Sequence, residues 1–294
     1  IMSAPASSEN SGTFRHYLTN LVTVGLIRSA LMLPYTLRVR MMGAVVANVI
    51  GPLAGYRRRA LDNLALIWPD MPQSERAQIA SKCLNNVGRT LIENYSARDF
   101  PARMAKNALT GEGKAALDAA IEIGQPVILV TGHYGNYEAT RAALAARGLK
   151  IGGLYKNMRN PYFNAHYVKT MEAFGGPVFA QGRRGTSGFV RHLKDGGQLV
   201  LLFDQHVAHA PLFDFLGKPA KTATSAADLA LRYNAVMIPF YGIRKSDGLS
   251  FEMVLEAPVP HTDGRTMTQH VTDSLAARIE NDPTQWFWIH RRWK

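Results

Sequence analysis

The sequence has a single cysteine, Cys83, in 294 residues, and this scarcity excludes an intrachain disulfide and the disulfide framework of small secreted proteins. Acidic residues are absent between Glu9 and Asp62. The longest uncharged run there, 41–56, falls short of the ~20 residues that a transmembrane helix needs and contains a Gly-Pro pair. The same acid-free stretch carries Arg15, Arg28, Arg38, Arg40, Arg57, Arg58 and Arg59.

Positive charge among apolar residues predicts a segment that lies on an anionic membrane surface. The alternative is a helical hairpin that packs on the core of the protein itself. Over the whole chain the net charge is +12, which indicates an acidic partner, and 47% of the residues are hydrophobic, which is enough for a full core. Nucleic acid is not the expected partner, because no zinc motif and no ribbon of alternating aromatic and basic residues occurs.

Several enzyme motifs are also missing. The chain has no G-x-S-x-G nucleophile elbow, no Walker A loop and no G-x-G-x-x-G dinucleotide fingerprint. This favours direct transfer to an activated hydroxyl over a covalent enzyme intermediate, and no redox cofactor is implied. A metal site is not expected either, because the spacing of Asp204, His206 and His209 matches no known ligand pattern.

From residue 125 onward the pattern predicts alternating strands and helices, and hence an α/β fold with a central mixed, mostly parallel sheet flanked by helices. Strands are expected near 126–131, 150–155, 177–180, 198–203, 236–241 and 250–256. Helices are expected near 13–33, 35–50, 57–67, 74–96, 99–107, 113–123, 137–147, 161–174, 186–195, 222–234 and 266–281. We therefore expect a disordered tail (1–12), membrane-associated amphipathic helices (13–55) and one large domain (56–294).

The stretch from Pro126 to Glu138 carries the strongest signal for chemistry. An apolar run ends just before His133, and the flanking glycines permit a sharp turn from strand to helix. Asn136 is placed to cap the helix, with Glu138 in its first turn. Since histidine titrates near neutral pH and a carboxylate can orient its ring, His133 and Glu138 are a candidate base and orienting acid. A structural histidine beside an ordinary helix-start glutamate is the alternative.

Polar side chains recur where predicted strands end, at the sheet edge where α/β proteins bind ligands. Asp204 and Gln205 follow one apolar strand, and Asp204 is placed either to support His133 or to bind a ligand. Basic side chains near helix starts suit a phosphate-bearing ligand, although solvated loop charge explains any single one of them. These basic residues are Lys156, Arg159, Arg183, Arg184 and Lys221.

Gly132-His133 followed by Glu138 resembles the His-x4-Asp/Glu signature of the glycerolipid acyltransferase superfamily. The variant with glutamate is similar to the secondary acyltransferases of lipid A biosynthesis, the lauroyl/myristoyl type. The other blocks similar to this family are Tyr56–Leu64 with Trp68-Pro69, Arg159-Asn160-Pro161, Asp204-Gln205, Phe215–Thr222 and Pro283–Lys294. The resemblance covers residues 56–294 and departs from the family at the N-terminal anchor, which arginines interrupt here.

The resemblance implies a fold like that of glycerol-3-phosphate acyltransferase, acyl carrier protein or acyl-CoA as donor, and an anionic lipid acceptor, the lipid A precursor. It implies attachment to the cytoplasmic face of the bacterial inner membrane, monotopic or through an N-terminal anchor. The catalytic residues would be His133, Glu138 and Arg159. The substrate-binding residues would be Lys156, Asn136, Arg183, Arg184, Asp204, Gln205 and Lys221.

Other acceptors stay open. The His/Glu pair does not separate a lipid A enzyme from a glycolipid acyltransferase of the phosphatidylinositol-mannoside type or from a lysophospholipid acyltransferase. A non-catalytic membrane-binding protein that keeps the fold is a further alternative.

Overall fold

The computed structural model describes residues 12–294, so the predicted tail 1–12 lies almost wholly outside the described residues. Its centre is a seven-stranded sheet in the order β1-β9-β8-β2-β5-β3-β4, beside a separate hairpin of β6 and β7. The strands are β1 (Leu109–Thr110), β2 (Val127–Thr131), β3 (Ile151–Tyr155), β4 (Val178–Ala180), β5 (Gln198–Leu202), β6 (Leu212–Phe215), β7 (Lys218–Lys221), β8 (Val236–Arg244) and β9 (Phe251–Leu255).

Helices precede the sheet and connect its strands. They are α1 (Phe14–Leu31), α2 (Tyr35–Val45), α3 (Gly51–Leu53), α4 (Tyr56–Ile67), α5 (Gln73–Tyr95), α6 (Asp99–Met104), α7 (Gly113–Glu122), α8 (Tyr137–Ala145), α9 (Pro161–Ala173), α10 (Arg183–Lys194), α11 (Ser225–Tyr233) and α12 (Gly264–Asn281). A π-helical turn, Val46–Ile50, joins α2 to α3, and a 3-10 turn, Pro283–Gln285, follows α12.

Strand β2 is central and buried on both faces. Ile128 and Val130 enter one hydrophobic cluster, and Val127 and Leu129 enter another. A strand with two buried faces needs a continuous apolar run, which is why residues 127–131 show no polar alternation. Strand β2 runs parallel to β5 and β8, and only the β8–β9 pair in this sheet is antiparallel. The predicted mixed, mostly parallel sheet is confirmed.

The hairpin of β6 and β7 was not predicted. Leu216 and Gly217 lie at φ 56° and 71° and form its two-residue turn, the positive-φ geometry that joins antiparallel strands tightly. Leucine is not a residue that signals such a turn. Lys218 and Lys221 consequently belong to a strand, and α11 begins at Ser225, after the predicted start near 222.

The N-terminal helices combine a buried face with an exposed one. Val39 and Met42 of α2 are fully buried, and Gly88 of α5 lies so close to α2 that an added Cβ would stand 2.4 Å from a backbone oxygen. Several apolar side chains point outward instead: Phe14, Val22, Met32 and Leu53 are each at least 74% exposed. In residues 12–294 no single helix has the length and hydropathy of a membrane span, although the pair Tyr35–Leu53 and Tyr56–Ile67, bent by 86°, meets both criteria together.

Candidate active site

The register of two neighbouring strands brings His133 and Asp204 together. In the parallel pair of β2 and β5, Thr131 lies opposite Leu202. His133 and Asp204 each follow two residues later, so both emerge at the same carboxyl edge of the sheet. This is the edge where open α/β sheets hold their ligands.

Asp204 is the hydrogen-bond partner of the His133 ring. Its Oδ1 lies 2.7 Å from His133 Nδ1, and its Oδ2 accepts from the His133 amide at 2.8 Å and from Trp286 Nε1 at 2.9 Å. Burial alone would raise the pKa of Asp204, which is 0% exposed, but the nearby His133 charge and these hydrogen bonds hold the pKa below its ordinary value. Asp204 is therefore a carboxylate at neutral pH and fixes the proton of His133 on Nδ1.

The turn that carries His133 packs against two other parts of the chain, β8 and the C-terminal segment. Gly135 has φ +57°, and a Cβ there would lie 2.0 Å from the Gly242 oxygen. Both the backbone conformation and the lack of space therefore require glycine at this position. The Gly135 amide donates to the Gln285 oxygen at 3.0 Å, while the Phe287 amide donates to the His133 oxygen at 3.0 Å. The backbone that carries the imidazole is consequently fixed, and the His133 side chain is 21% exposed.

Glu138 occupies a different position from the one we predicted. Its carboxylate accepts from Arg141 Nη1 at 3.0 Å, and Arg141 also donates to the Met171 and Gly175 oxygens at the end of α9. Both members of this ion pair are nearly buried. Within residues 12–294, His133 Nδ1 forms its hydrogen bond with Asp204, while Glu138 pairs with Arg141. The acid that orients the His133 ring is therefore Asp204, which the sequence analysis had named as an alternative support for His133.

Asn136, predicted to bind substrate, is instead built into the protein. Its Oδ1 caps α8 by accepting from the Glu138 amide at 3.0 Å, as the sequence indicated, and its Nδ2 donates to Glu93 Oε2 at 2.9 Å. The side chain is 0% exposed, and these hydrogen bonds account for its polar atoms. Glu93 in turn forms a buried bidentate pair with Arg244, at 2.6 and 2.7 Å. This network holds the start of α8 against α5 and β8.

Two cavities meet at His133. The larger, about 490 Å³, is mainly apolar and lies between α5, α9 and the C-terminal segment, with Val87, Leu91 and Phe163 in its wall. The smaller, about 260 Å³, is more polar. It contains Glu138 and Lys156 together with strand-end residues. The side chains that line both cavities are His133, Tyr137, Met158, Tyr167 and Gln205.

The remaining predicted residues are spread along the rim. Lys156 and Gln205 are exposed and line the cavities, as expected of groups that meet a substrate. Arg159, Arg183 and Arg184 are exposed outside both cavity linings, and half-buried Lys221 donates to the Ala208 oxygen at 2.7 Å. The structure thus places Lys156 and Gln205 in the cavity walls that His133 also lines, and the three arginines outside those walls.

Two site residues had no predicted role, although both lie in the C-terminal block that carries the resemblance. Trp286 donates to Asp204, and the His290 ring centroid is 4.7 Å from that of His133. Potential metal-ligating atoms of His133, Asp204 and His290 lie within 4.8 Å of one another. Because the Asp204 oxygens already accept three hydrogen bonds, this set is poorly suited to hold a cation.

Comparison with known proteins supports the relation that the motifs suggested. The family model for bacterial lipid A biosynthesis acyltransferases matches residues 7–294. A lipid A biosynthesis acyltransferase of Haemophilus influenzae is 27% identical, over 92% of this chain and 88% of its own. The lipid A biosynthesis lauroyltransferase of Escherichia coli is 26% identical over 95% and 92%, respectively. The myristoyltransferase of Escherichia coli is 22% identical over 79% and 73%.

Proposed function

Because this chain belongs to the bacterial lipid A biosynthesis acyltransferase family, we propose that it transfers a fatty acyl chain from a thioester donor to a hydroxyl group of a lipid A precursor. The donor is an acylated acyl carrier protein or an acyl-CoA. The observation that carries the proposal is the hydrogen-bonded pair of His133 and Asp204, which stands where an apolar and a polar cavity meet.

In the proposed mechanism His133 is the general base. With its proton held on Nδ1 by Asp204, the ring presents the Nε2 lone pair, which removes the hydroxyl proton as the oxygen attacks the thioester carbon. The new C–O bond forms, the C–S bond breaks, and the imidazolium returns the proton to the departing thiolate. The buried Asp204 carboxylate stabilises the imidazolium between these steps.

The two cavities suit the two ends of the reactants. The apolar cavity, with Val87, Leu91 and Phe163 in its wall, takes the acyl chain, because burial of methylene groups is favourable. Lys156, at the polar cavity, contacts a phosphate of the acceptor or of the donor's phosphopantetheine arm. Arg159, Arg183, Arg184 and Lys221 add a positive potential at the rim that attracts acidic reactants and an acidic carrier protein.

We further propose monotopic binding of the N-terminal helices to the cytoplasmic face of the bacterial inner membrane. Phe14, Val22 and Leu53 expose apolar surface, and arginines such as Arg28 and Arg57 are exposed on the same helical segment. This combination suits the interface of an anionic bilayer. Flotation with phosphatidylglycerol vesicles tests it: F14S/V22S should reduce binding, whereas I123S, at a similarly exposed apolar residue of the other domain, should not. Equal binding of the wild type, F14S/V22S and I123S would contradict the assignment.

The function is tested with purified protein, a lipid A precursor, and acyl carrier protein or CoA thioesters. H133A should lower the transfer rate by about 10²- to 10⁴-fold, because a general base is lost. H209A, at an exposed histidine outside both cavity linings, is the matched control and should transfer normally. A wild-type rate in H133A would contradict the mechanism. Transfer only to a lysophospholipid or another glycolipid would mean that the acceptor is that lipid and not a lipid A precursor. Mass spectrometry of lipid A from cells with and without the protein checks the acceptor independently.

A further inference from the structure

Hydrogen bonds of the C-terminal segment hold His290 beside His133, the proposed base. Asn63 Nδ2 donates to the His290 oxygen at 2.8 Å and to the Trp288 oxygen at 2.7 Å. The His290 amide donates to Phe287, whose own amide donates to the His133 oxygen. The two histidines are therefore fixed to each other through a short run of hydrogen bonds.

The His290 ring is polar in a place where packing alone would favour an apolar ring. It stands nearly perpendicular to the His133 ring, at 80°, and its centroid is 4.4 Å from that of Phe287. Its Nε2 is buried, and no atom of residues 12–294 forms a hydrogen bond with it. An unsatisfied buried polar atom costs about 1–3 kcal/mol, so a phenylalanine here would avoid the penalty. A hydrogen bond to a bound reactant removes the same penalty.

The charge state of His290 limits what it can do. Burial, reinforced by the positive charges of His133 and Arg292 and opposed by Asp204, lowers the pKa of His290 to about 3. At neutral pH the ring is therefore neutral and carries one N–H donor. The positive charge that His133 acquires during transfer is already among these causes, so His290 stays neutral when His133 is protonated. His290 acts as a fixed dipole and not as a second base.

We propose that the neutral His290 ring contacts the reacting thioester and donates a hydrogen bond to its carbonyl oxygen as negative charge develops there. This role rests on the proposed function. His290 and His133 both line the apolar cavity that takes the acyl chain, and their rings are in contact, so the thioester at the end of that chain meets both rings on the cavity side. As the hydroxyl oxygen adds to the carbon, the C=O electron pair moves to the oxygen, and the pair returns when the C–S bond breaks. A preorganised donor at that oxygen lowers the barrier, and a neutral imidazole serves as such an electrophile when its pKa is depressed.

Three substitutions separate donation from packing. H290Q keeps an N–H donor, H290M has a similar length without one, and H290F keeps the ring without one. Loss of one oxyanion donor costs about 10²- to 10³-fold in kcat, so H290M and H290F should fall by that factor with KM changed little. H290Q should stay within about tenfold of the wild type. Equal losses in all three, or losses confined to KM, would overturn the proposal.

Folding is checked by the thermal midpoint of each variant. If H290F does not fold, the comparison of H290Q with H290M decides, since both lack an aromatic ring, are similar in length, and only H290Q carries an N–H donor. The pH profile of kcat gives a second readout. H290Q should keep the wild-type profile, because a ring that stays neutral contributes no limb, and loss of a limb in H290Q would overturn the neutral-donor role.

The same assay distinguishes this role from the proposed function itself. A wild-type protein that acylates no lipid would overturn both. A wild-type protein that transfers acyl chains, an inactive H133A and a fully active H290M would leave the function standing and overturn the role of His290 alone.

Discussion

The two sides of the candidate active site differ in how they are held. On the sheet side, Asp204, Trp286 and Trp288 are each 0% exposed, and indole N–H groups donate to Asp204 and to the Pro283 oxygen. The opposite side is α9, which supplies Phe163 and Tyr167 to the cavity walls but contains no buried residue. Because local stability follows buried contacts, we expect α9 to open more readily than the sheet side, which holds the pair of His133 and Asp204.

The largest expected effect comes from breaking the sheet side at Asp204. D204N keeps the size of the side chain but loses the charge that holds the His133 tautomer and stabilises the imidazolium. By analogy with loss of the acid in a Ser-His-Asp triad, kcat should fall by about 10⁴-fold. Steady-state kinetics measures this, with D195N, at an exposed aspartate, as the control. A folded D204N with wild-type kcat would mean that Asp204 does not orient the base.

The second prediction concerns Glu138. E138A leaves Arg141 buried and unpaired, which should cost about 3–5 kcal/mol in the free energy of unfolding, whereas D204N should lose activity out of proportion to stability. E138A/R141M removes both charges and should regain most of the lost stability, because apolar replacement of a buried pair is often neutral. Chemical denaturation and transfer assays decide between two roles. If the double variant is folded and active, Glu138 is structural; if folded and inactive, Glu138 acts in catalysis as the sequence first suggested.

This contrast also explains what the sequence could predict. The strand at 127–131 and the turn at His133 are local patterns, and both were found from apolar runs, glycines and an asparagine cap. The partner of His133 depends on β5 lying next to β2, which is an arrangement of distant segments. Sequence spacing therefore favoured Glu138, five residues away, over Asp204, 71 residues away. His290 was harder still, because only the packing of the last segment against the turn brings it to the site.

A third, smaller effect is expected in the acid stability of the sheet side. The pKa of His290 is lowered to about 3 in the folded protein, against about 6.5 for a free histidine, so between these values the unfolded chain binds more protons. Stability should therefore fall as the pH drops from about 6.5 toward 3. H290Q removes this contribution, and its thermal midpoint should decline less than that of the wild type between pH 7 and pH 5. Parallel declines would show that His290 takes up its proton as easily when folded as when unfolded.

The smallest effect tests the freedom of α9. His166 Nε2 donates a hydrogen bond to Asn20 Oδ1, in α1, at 3.0 Å, and its Nδ1 accepts one from the Tyr95 hydroxyl at 2.9 Å. Burial, helped by the Arg28 charge, lowers the pKa of His166, which keeps the ring neutral. N20A removes one contact worth about 0.5–1.5 kcal/mol, so the amides of α9 should exchange with deuterium about twofold to twelvefold faster.

Thr19 offers the matched control, since its hydroxyl bonds only within α1, to the Arg15 oxygen. T19A should leave α9 exchange unchanged, and in N20A the amides of β2 and β5 should also exchange at the wild-type rate. Faster exchange spread evenly over α9 and the two strands would mean that α9 and the sheet open as one unit. Faster exchange confined to α9 would mean that α1, through its contact with α9, controls access to the cavities without disturbing the pair of His133 and Asp204. Substrate entry and proton transfer could then be altered separately.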